Sequence, residues 1–457
     1  MSAKFDTRLL PPGPRTPRAI QTVALTFRQR PYLERQRRKY GETFTVRIAG
    51  FMPLVAITNP EHIKQVFTAD PKVLHAGDTS PLRPVLGRNS LLGIDEDRHL
   101  AQRRLLLPPF KGQRMKAYES LIEEIASDEI DKFPEGVEFA IAPAMQRLTL
   151  RAILRAVFGA TGRELAELEE LLPPWTEQGS KMAMTPFLQR DLGPRSPWGA
   201  FLRLRGRIDA ILDRLIAMAK NDARLEERTD VLALLVQATH EDGTPMSNEE
   251  IRDQLVTMLA AGHETTAHQL SWTVERLTRT PHALERLVAE VDEGTSKRYL
   301  DATIRESQRT RPVIFFAGRT TMEPYSVAGY DLPRGVQLAL AAAMTHFDPR
   351  LFDRPDQFLP ERFVDARPET YSWIPFGGGI RRCIGATFAH MEMDVVLRTL
   401  LSRVELLPTS APPERWAFRG VAMAPAEGGR VVVRRRRSSS ARGAGPAPVV
   451  EAVPAVA

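Results

Sequence analysis

The sequence predicts a mainly α-helical protein with a minor β-sheet region, and three observations support this prediction. Residues 247–279 begin with Ser247 and carry Glu250 three residues later, which is the capping-box pattern of a helix N-terminus. Residues 386–404 are apolar on most faces, as is typical of a buried helix. Short runs with strand character, in contrast, cluster near residues 43–58 and 312–340.

The remaining elements follow from the spacing of apolar residues and from the turn residues that separate them. Helices are expected at 31–40, after Asn59, and at 95–106, 114–132, 143–158, 161–171, 199–220, 229–239, 281–291 and 297–310. Strands are expected at 43–48, 54–58, 312–321, 325–328 and 335–340. Residues 77–93 predict a loop near a pocket, and the proline- and methionine-containing residues 173–198 predict a mobile apolar lid.

The composition is that of a soluble globular protein, with 43% hydrophobic and 26% charged residues in a chain of 457. A single cysteine excludes internal disulfides and any zinc site or redox site built on a Cys-x-x-Cys pair, so a reducing cytoplasm is expected. No apolar run approaches the roughly 20 residues of a membrane span, and the N-terminus lacks the apolar core of a signal peptide. We therefore expect a cytoplasmic protein with no transmembrane anchor.

The net charge of +7 lies mostly at the C-terminal end. Residues 430–457 contain six arginines and one glutamate, which leaves only about +2 for the rest of the chain. We expect one folded domain at 1–430 and a basic, Ala/Pro-rich disordered tail at 431–457. The Arg434–Arg437 run has no interleaved aromatic residues, so a solvated tail is favoured over a nucleic-acid site.

The only cysteine, Cys383, stands between a glycine-rich stretch and the apolar segment 386–404. A thiol just before a helix N-terminus lies where the helix dipole favours its thiolate form. The glycines would let a large flat group lie against the loop backbone, and a thiolate is a good axial ligand for haem iron. Taken alone, a lone cysteine is more often a small buried apolar residue.

The predicted long helix carries Gly262, Glu264 and Thr265 near its centre. An acid beside an alcohol, at a point where a Thr hydroxyl can bend the helix, could hold a water and pass protons to dioxygen. The alternative is a solvated Glu beside an ordinary helical Thr. A zinc protease is rejected, because His268 follows His263 by five residues, and at about 100° per residue the two diverge by roughly 140°.

The motifs together resemble those of the cytochromes P450. Residues 376–385 read Phe-x-x-Gly-x-Arg-x-Cys-x-Gly, which resembles that family's haem-binding loop, and residues 261–265 resemble its Ala/Gly-Gly-x-Asp/Glu-Thr motif. A Glu-x-x-Arg pair at Glu306 and Arg309, followed by Arg362, occurs in the family's order. Longer runs are most similar to the mycobacterial family numbered 138. The resemblance implies the cytochrome P450 fold, with haem between the long central helix and the helix after the cysteine loop.

The resemblance also implies a role for each matching residue. Thr265 and Glu264 would be catalytic, and Cys383 would be the metal ligand. The residues that would bind heme b (iron protoporphyrin IX) are His99, Arg103, Ala261, Arg319, Phe376, Gly377, Arg381, Cys383 and Gly385. His99, Arg103, Arg319 and Arg381 are expected to pair with the haem propionates, the alternative for each being a surface cation. Glu306, Arg309 and Arg362 would brace the loop.

The implied function is that of a bacterial haem-thiolate monooxygenase. One oxygen atom from O2 would enter an apolar organic substrate, such as a lipid, sterol or terpenoid. Electrons would come from NAD(P)H through a ferredoxin reductase and a ferredoxin, because one cysteine cannot ligate an iron–sulfur cluster. A monomer that binds no nucleic acid is expected. Two alternatives stay open, a haem-thiolate enzyme that uses peroxide or catalyses an isomerisation, and a non-catalytic haem sensor or carrier.

Overall fold

The computed structural model describes residues 7–110, 114–159 and 162–436, and most of them are helical. The α-helices of this part of the chain are α1 Arg18–Phe27, α2 Gln29–Tyr40, α3 Pro60–Phe67, α4 Arg83–Leu86, α5 Glu96–Leu106, α6 Arg114–Ile130, α7 Ala142–Phe158, α8 Arg163–Met184, α9 Pro197–Lys220, α10 Val231–Gln237, α11 Asn248–Thr278, α12 Pro281–Glu293, α13 Arg298–Thr310, α14 Ala342–Thr345 and α15 Ala386–Arg403.

The strands are short, and they form four small sheets among the described residues. They are β1 Thr43–Val46, β2 Leu54–Ile57, β3 Leu74–His75, β4 Phe139–Ala140, β5 Phe316–Thr321, β6 Tyr325–Val327, β7 Tyr330–Leu332, β8 Gln337–Ala341, β9 Val404–Leu407, β10 Trp416–Arg419, β11 Ala422–Pro425 and β12 Arg430–Arg435. The largest sheet has the order β1-β2-β8-β5-β3, with β2 parallel to β8 and the other pairs antiparallel. The prediction of a mainly helical fold with a minor β region is confirmed.

Helix α11 runs through the centre of the helical part of the fold, as the sequence predicts. Ser247 caps it in a complete capping box, because its hydroxyl accepts the Glu250 N–H at 3.2 Å and the Glu250 carboxylate accepts the Ser247 N–H at 2.9 Å. The helix packs most extensively against α7, and also contacts α13 and α15. Helix α11 and α15, the helix after the cysteine, therefore both contribute buried side chains to the same hydrophobic core.

The predicted lid at 173–198 is wrong for its first half. Helix α8 continues through Pro173 and Pro174 to Met184. Two prolines remove two backbone donors, but Leu172 and Trp175 on either side of them are fully buried, and this packing outweighs the local cost. The lid therefore stays a prediction only for the residues after α8, where Phe187 and Leu192 are both exposed.

The predicted domain boundary at 430 is also wrong, because Arg430–Arg435 form strand β12, the middle strand of the sheet β4-β12-β9. It pairs with β9 and with β4, and the side chain of Arg435 donates to the carbonyls of Ile130 and Asp131. Arg436 pairs with Asp292 at 2.6 Å. Sequence pattern failed here because an arginine-rich strand has the composition of a solvated tail. Residues 437–457, the rest of the predicted tail, lie outside the described residues.

None of the helices described is both long enough and apolar enough to cross a lipid bilayer. Among the same residues, the single cysteine carries no disulfide.

Candidate functional site

The loop before Cys383 is held by backbone hydrogen bonds and by a close approach to α3. The Cys383 N–H donates to the Phe376 carbonyl at 2.9 Å. Gly379 has a φ of 62°, and a Cβ there would lie 2.0 Å from the carbonyl oxygen of Phe67. A Cβ at Gly378 would lie 2.8 Å from the Phe67 ring. These two glycines therefore make room for Phe67, whereas the space beside Gly377 is open and suits the flat group that the sequence predicts.

The Cys383 thiol lies at the start of α15. The first hydrogen bond of this helix joins the Ala389 N–H to the Gly385 carbonyl at 2.8 Å. The side chain is exposed. Protein atoms nevertheless surround it closely enough for desolvation to raise the pKa of the thiol, while the backbone at Gly385 and the charges of Arg382 and Arg103 partly oppose the rise. We interpret the exposure as facing an interior space, because open solvent would not desolvate the thiol. The backbone at the helix start favours the thiolate, as the sequence predicts, and burial opposes it. A metal ion that binds the sulfur would deprotonate it.

Between its two ends, α11 loses its cover along one stretch near the middle, at residues 260–265. Ala261 is exposed, and Glu264 and Thr265 are only partly buried, although residues 253–259 and 266–275 are buried. The Thr265 hydroxyl donates to the Ala261 carbonyl at 2.8 Å. The exposed stripe thus places the predicted acid and alcohol together with the small residue that the sequence predicts beside the haem.

A histidine that the sequence analysis used only to reject a zinc protease lies beside the predicted acid. His268 Nε2 is 3.6 Å from Glu264 Oε1, one turn along α11. His268 is buried, and neither of its ring nitrogens has a hydrogen-bond partner among the described residues. Glu264 therefore has a titratable neighbour on its buried side, which a spacing rule for metal ligands could not reveal.

A cluster of basic side chains forms where three elements meet. His99 and Arg103 lie on α5, Arg319 lies on β5, and Arg381 lies in the cysteine loop. Arg381 donates to the Leu91 carbonyl at 3.1 Å and pairs with Asp95. In the part of the chain that the structure describes, no carboxylate forms an ion pair with Arg103 or Arg319, and His99 Nδ1 has no hydrogen-bond partner. The structure therefore brings together all four predicted propionate partners.

The electrostatics of this basic cluster favour an anion. Burial, with help from Arg381 and Arg103, lowers the pKa of His99 to about 3, and burial together with Arg381 lowers the pKa of Arg319 to about 10. The pKa of Arg103 also falls because of burial, while the nearby Cys383 opposes the fall. Three arginines against the single carboxylate of Asp95 leave a desolvated excess of positive charge. A ligand with two carboxylates beside a thiolate-bound metal fits this arrangement.

Behind the cysteine loop lies the predicted brace of Glu306, Arg309 and Arg362. Glu306 accepts hydrogen bonds from Arg309 at 2.7 Å and from Arg362 at 3.1 Å. Arg309 also donates to the carbonyl of His346 at 2.7 Å, and His346 Nε2 accepts the N–H of Ile374 at 2.9 Å, just before the loop. His346 is thus a link between brace and loop that sequence reasoning missed, since a lone histidine carries no motif.

Helix α11 packs against α15, the helix that follows the cysteine, next to the exposed stripe. Glu392 of α15 is buried near Thr266, and desolvation raises the pKa of Glu392 well above its ordinary range, while Thr266 partly opposes the rise. This buried acid was also missed, because a single Glu in an apolar helix resembles an exposed position in the sequence.

Comparisons with known proteins agree with this geometry. The family model described as cytochrome P450 matches residues 11–429. Cytochrome P450 138 of Mycobacterium bovis and of Mycobacterium tuberculosis is 46% identical over 429 residues, which cover 93% of this chain and 97% of the relative. Cytochrome P450 135B1 of Mycobacterium bovis is 42% identical and covers 94% of this chain and 93% of the relative.

Solved structures show the same architecture. A retinoic-acid-bound cyanobacterial CYP120A1 has a TM-score of 0.83 at 22% identity, and the match covers 93% of this chain and 99% of that one. The haem domain of cytochrome P450DA has a TM-score of 0.81 at 25% identity, with coverage of 94% and 98%. The family holds haem through a cysteine thiolate, and Cys383 is the only cysteine available here. The chain therefore belongs to the cytochrome P450 family.

Proposed function

We propose that this cytochrome P450 inserts one oxygen atom from O2 into an apolar organic substrate of lipid, sterol or terpenoid type, with electrons from a ferredoxin. Membership of the family makes it a haem-dependent oxygenase in general. The observation that carries the finer proposal is the exposed stripe of α11, where Glu264 and Thr265 stand together. A peroxide-using enzyme or an isomerase has no need of that pair.

The basic cluster has the role of holding and orienting the cofactor. His99, Arg103, Arg319 and Arg381 come from three separate elements, so two carboxylates bound among them are fixed from several directions. When bound, haem with a thiolate ligand supplies the activation of dioxygen, because the sulfur donates electron density to the iron. Cys383 supplies that thiolate, and Arg103 and Arg382 stabilise its negative charge.

Thr265 and Glu264 have the role of controlling protons. The Thr265 hydroxyl gives its hydrogen to the Ala261 carbonyl, so the lone pairs of Oγ1 are free to accept a hydrogen bond from a water molecule at the stripe. Glu264, partly buried one residue earlier, can replace a proton that such a water gives up. Oγ1 of Thr265 thus holds and orients the water, and this water is the group that delivers the proton.

Exposed apolar side chains support an apolar substrate. Leu92, in the loop predicted to border the pocket, and Ile314, before β5, are both exposed. Phe315, the next residue, is instead buried, with its ring 5.3 Å from that of Trp416. Phe315 is therefore a core residue, and Leu92 and Ile314 are the better-placed candidates for substrate contact.

The composition of the chain supports a separate electron donor. One cysteine cannot ligate an iron–sulfur cluster, and the family model accounts for most of the sequence. Arg382 is exposed beside Cys383, so an acidic ferredoxin would find complementary charge there.

The test is turnover with a ferredoxin, its NAD(P)H-dependent reductase and isotopically labelled O2. Candidate lipids, sterols and terpenoids are first ranked by the haem spin-state shift that they induce. The proposal expects product with one labelled oxygen atom. Turnover that needs only peroxide, or rearranged product without label, would contradict it.

A further inference from the structure

Helix α1 carries large apolar side chains on its outer side. Ile20, Val23 and Phe27 are 57%, 57% and 78% exposed. At about 100° per residue these three side chains lie within roughly 60° of one another, so they form one apolar face of the helix. A helix on the surface of a globular protein normally turns such a face toward the core. The exposed apolar face of α1 therefore calls for an explanation beyond the packing of the fold.

The hydrogen bonds of Gln21 hold the apolar face of α1 on the outside. Gln21 is fully buried on another side of the helix. Its side-chain amide donates to the carbonyls of Pro14 at 3.2 Å and Thr16 at 2.8 Å, and its side-chain oxygen accepts the Arg47 N–H at 2.8 Å. Rotation of the helix to bury the apolar face would break all three hydrogen bonds. The outward direction of this face is thus specified by the fold.

The segment that contains this apolar face is strongly basic. Residues 7–33 contain five arginines and neither aspartate nor glutamate. Arg15, Arg18 and Arg28 are exposed, and none of them forms an ion pair with a carboxylate of the described residues. Arg18 is the first residue of α1, and Arg28 follows its last residue. An apolar face with cations at both ends is typical of a helix that lies in the surface of a lipid bilayer.

A second exposed apolar group lies on the other side of strand β10, which contacts both α1 and α8. In the β10–β11 hairpin, a Cβ on Gly420 would lie 2.3 Å from the Ser180 Cβ, so the turn of the hairpin touches α8. Phe187 and Leu192 follow the end of α8 and are 64% and 77% exposed. Beside the single exposed carboxylate of Asp191, this part of the surface carries three exposed arginines, Arg190, Arg195 and Arg419.

We propose that the amphipathic surface formed by α1, the β10–β11 hairpin and residues 185–195 binds the surface of a bilayer that contains anionic lipid. The apolar side chains would lie at the boundary of headgroups and acyl chains, and the arginines would contact lipid phosphates. A second copy of the chain fits this surface less well, because it would bring the same arginines face to face. The binding is peripheral, and it does not rest on the proposed reaction.

The experiment measures co-sedimentation of the full-length holoenzyme with vesicles of phosphatidylcholine alone or of phosphatidylcholine mixed with phosphatidylglycerol. The wild type should bind the anionic vesicles at least about tenfold more tightly than the neutral ones, because several arginines face the lipid. An increase in ionic strength from about 0.1 M to about 1 M should weaken this binding several-fold. Val23→Glu should bind the anionic vesicles at least about tenfold more weakly than the wild type, because it places a charge in the apolar face.

The matched control is Val137→Glu, which makes the same change at a valine that is 60% exposed, ahead of β4, and should leave vesicle binding unchanged. Both valines are exposed, so both variants should melt at the wild-type temperature. Equal binding of the two variants to anionic vesicles, or equal binding of the wild type to both kinds of vesicle, would overturn the proposal. A dimer that Val23→Glu dissociates, in a protein that binds no vesicles, would overturn it as well, since the apolar face would then contact a second copy.

Discussion

Arg309 donates two hydrogen bonds of 2.7 Å to the carboxylate of Glu306, and both side chains are completely buried. Three backbone carbonyls complete the partners of the same guanidinium, those of His346, Pro355 and Gln357. A buried ion pair of this kind contributes little net stability over an apolar pair of similar volume. Its consequence is positional, because it fixes the chain on both sides of residue 359, ahead of the cysteine loop.

Removal of one partner should lower the free energy of unfolding by much more than the intact pair adds to it. Arg309→Ala would leave the Glu306 carboxylate buried with only Arg362 as a charged partner, and we expect a loss of about 3–5 kcal/mol in the free energy of unfolding. Chemical denaturation measures it. The chain contains a control pair of the same residue types on another helix, since Glu34→Gln removes a partly exposed partner of Arg30 and should cost under about 1 kcal/mol. Equal losses in the two variants would contradict the bracing role.

Retention of haem should depend on Arg103 but not on its neighbour. Arg103→Ala removes a cation near Cys383 that has no carboxylate partner among the described residues, so we expect haem to dissociate several-fold faster. Transfer of haem to an excess of a haem-scavenging apoprotein measures the rate. Arg104→Ala is the matched control, because Arg104 is exposed and pairs with Glu241 at the surface. An unchanged rate in Arg103→Ala would remove Arg103 from the cofactor site.

The hydroxyl of Thr265 should affect how much of the consumed reductant yields product, and it should not affect folding. Thr265→Ala removes the hydroxyl that we place on the proton route, so more of the reductant consumed should appear as hydrogen peroxide, by several-fold. Peroxide and product are measured per NAD(P)H oxidised. Thr278→Ala removes a hydroxyl with a similar backbone bond near the end of the same helix, and it should leave coupling unchanged. Identical coupling in both variants would contradict the proton role.

Acid stability should depend on His346. Burial, reinforced by the charge of Arg309, lowers the pKa of His346 to about 3. The unfolded chain therefore binds a proton that the folded state rejects between about pH 6.5 and pH 3, and stability falls as pH falls through that window.

His346→Gln keeps an acceptor for the Ile374 N–H but does not titrate. Its stability should fall less steeply with acidification than that of the wild type, by up to about 1.4 kcal/mol per pH unit. Denaturation curves at several pH values test this difference in slope. The exposed His282→Gln substitution serves as the control and should keep the wild-type slope.

Local signals in the sequence predicted the elements that organise the fold. The capping box correctly predicted that Ser247 is the N-cap of α11. The Glu-x-x-Arg spacing correctly predicted the pairing of Glu306 with Arg309. Motifs along the chain also predicted His99, Arg103, Arg319 and Arg381, which the structure brings into one basic cluster.

Features that depend on long-range packing could not be predicted in this way. The fully buried Trp175 keeps α8 helical through two prolines, and pairing with β9 turns an arginine-rich segment into strand β12. His346 and Glu392 gain their properties only from burial among residues distant in sequence, and no spacing rule marks them.

The central claim is that the Cys383 thiolate holds haem in this protein. The most direct measurement is the absorption spectrum of the reduced protein with carbon monoxide, compared between the wild type and Cys383→Ala. We expect the long-wavelength band of thiolate-ligated haem in the wild type and its loss in the variant. A wild-type spectrum typical of histidine ligation, or a band that survives in Cys383→Ala, would contradict the account.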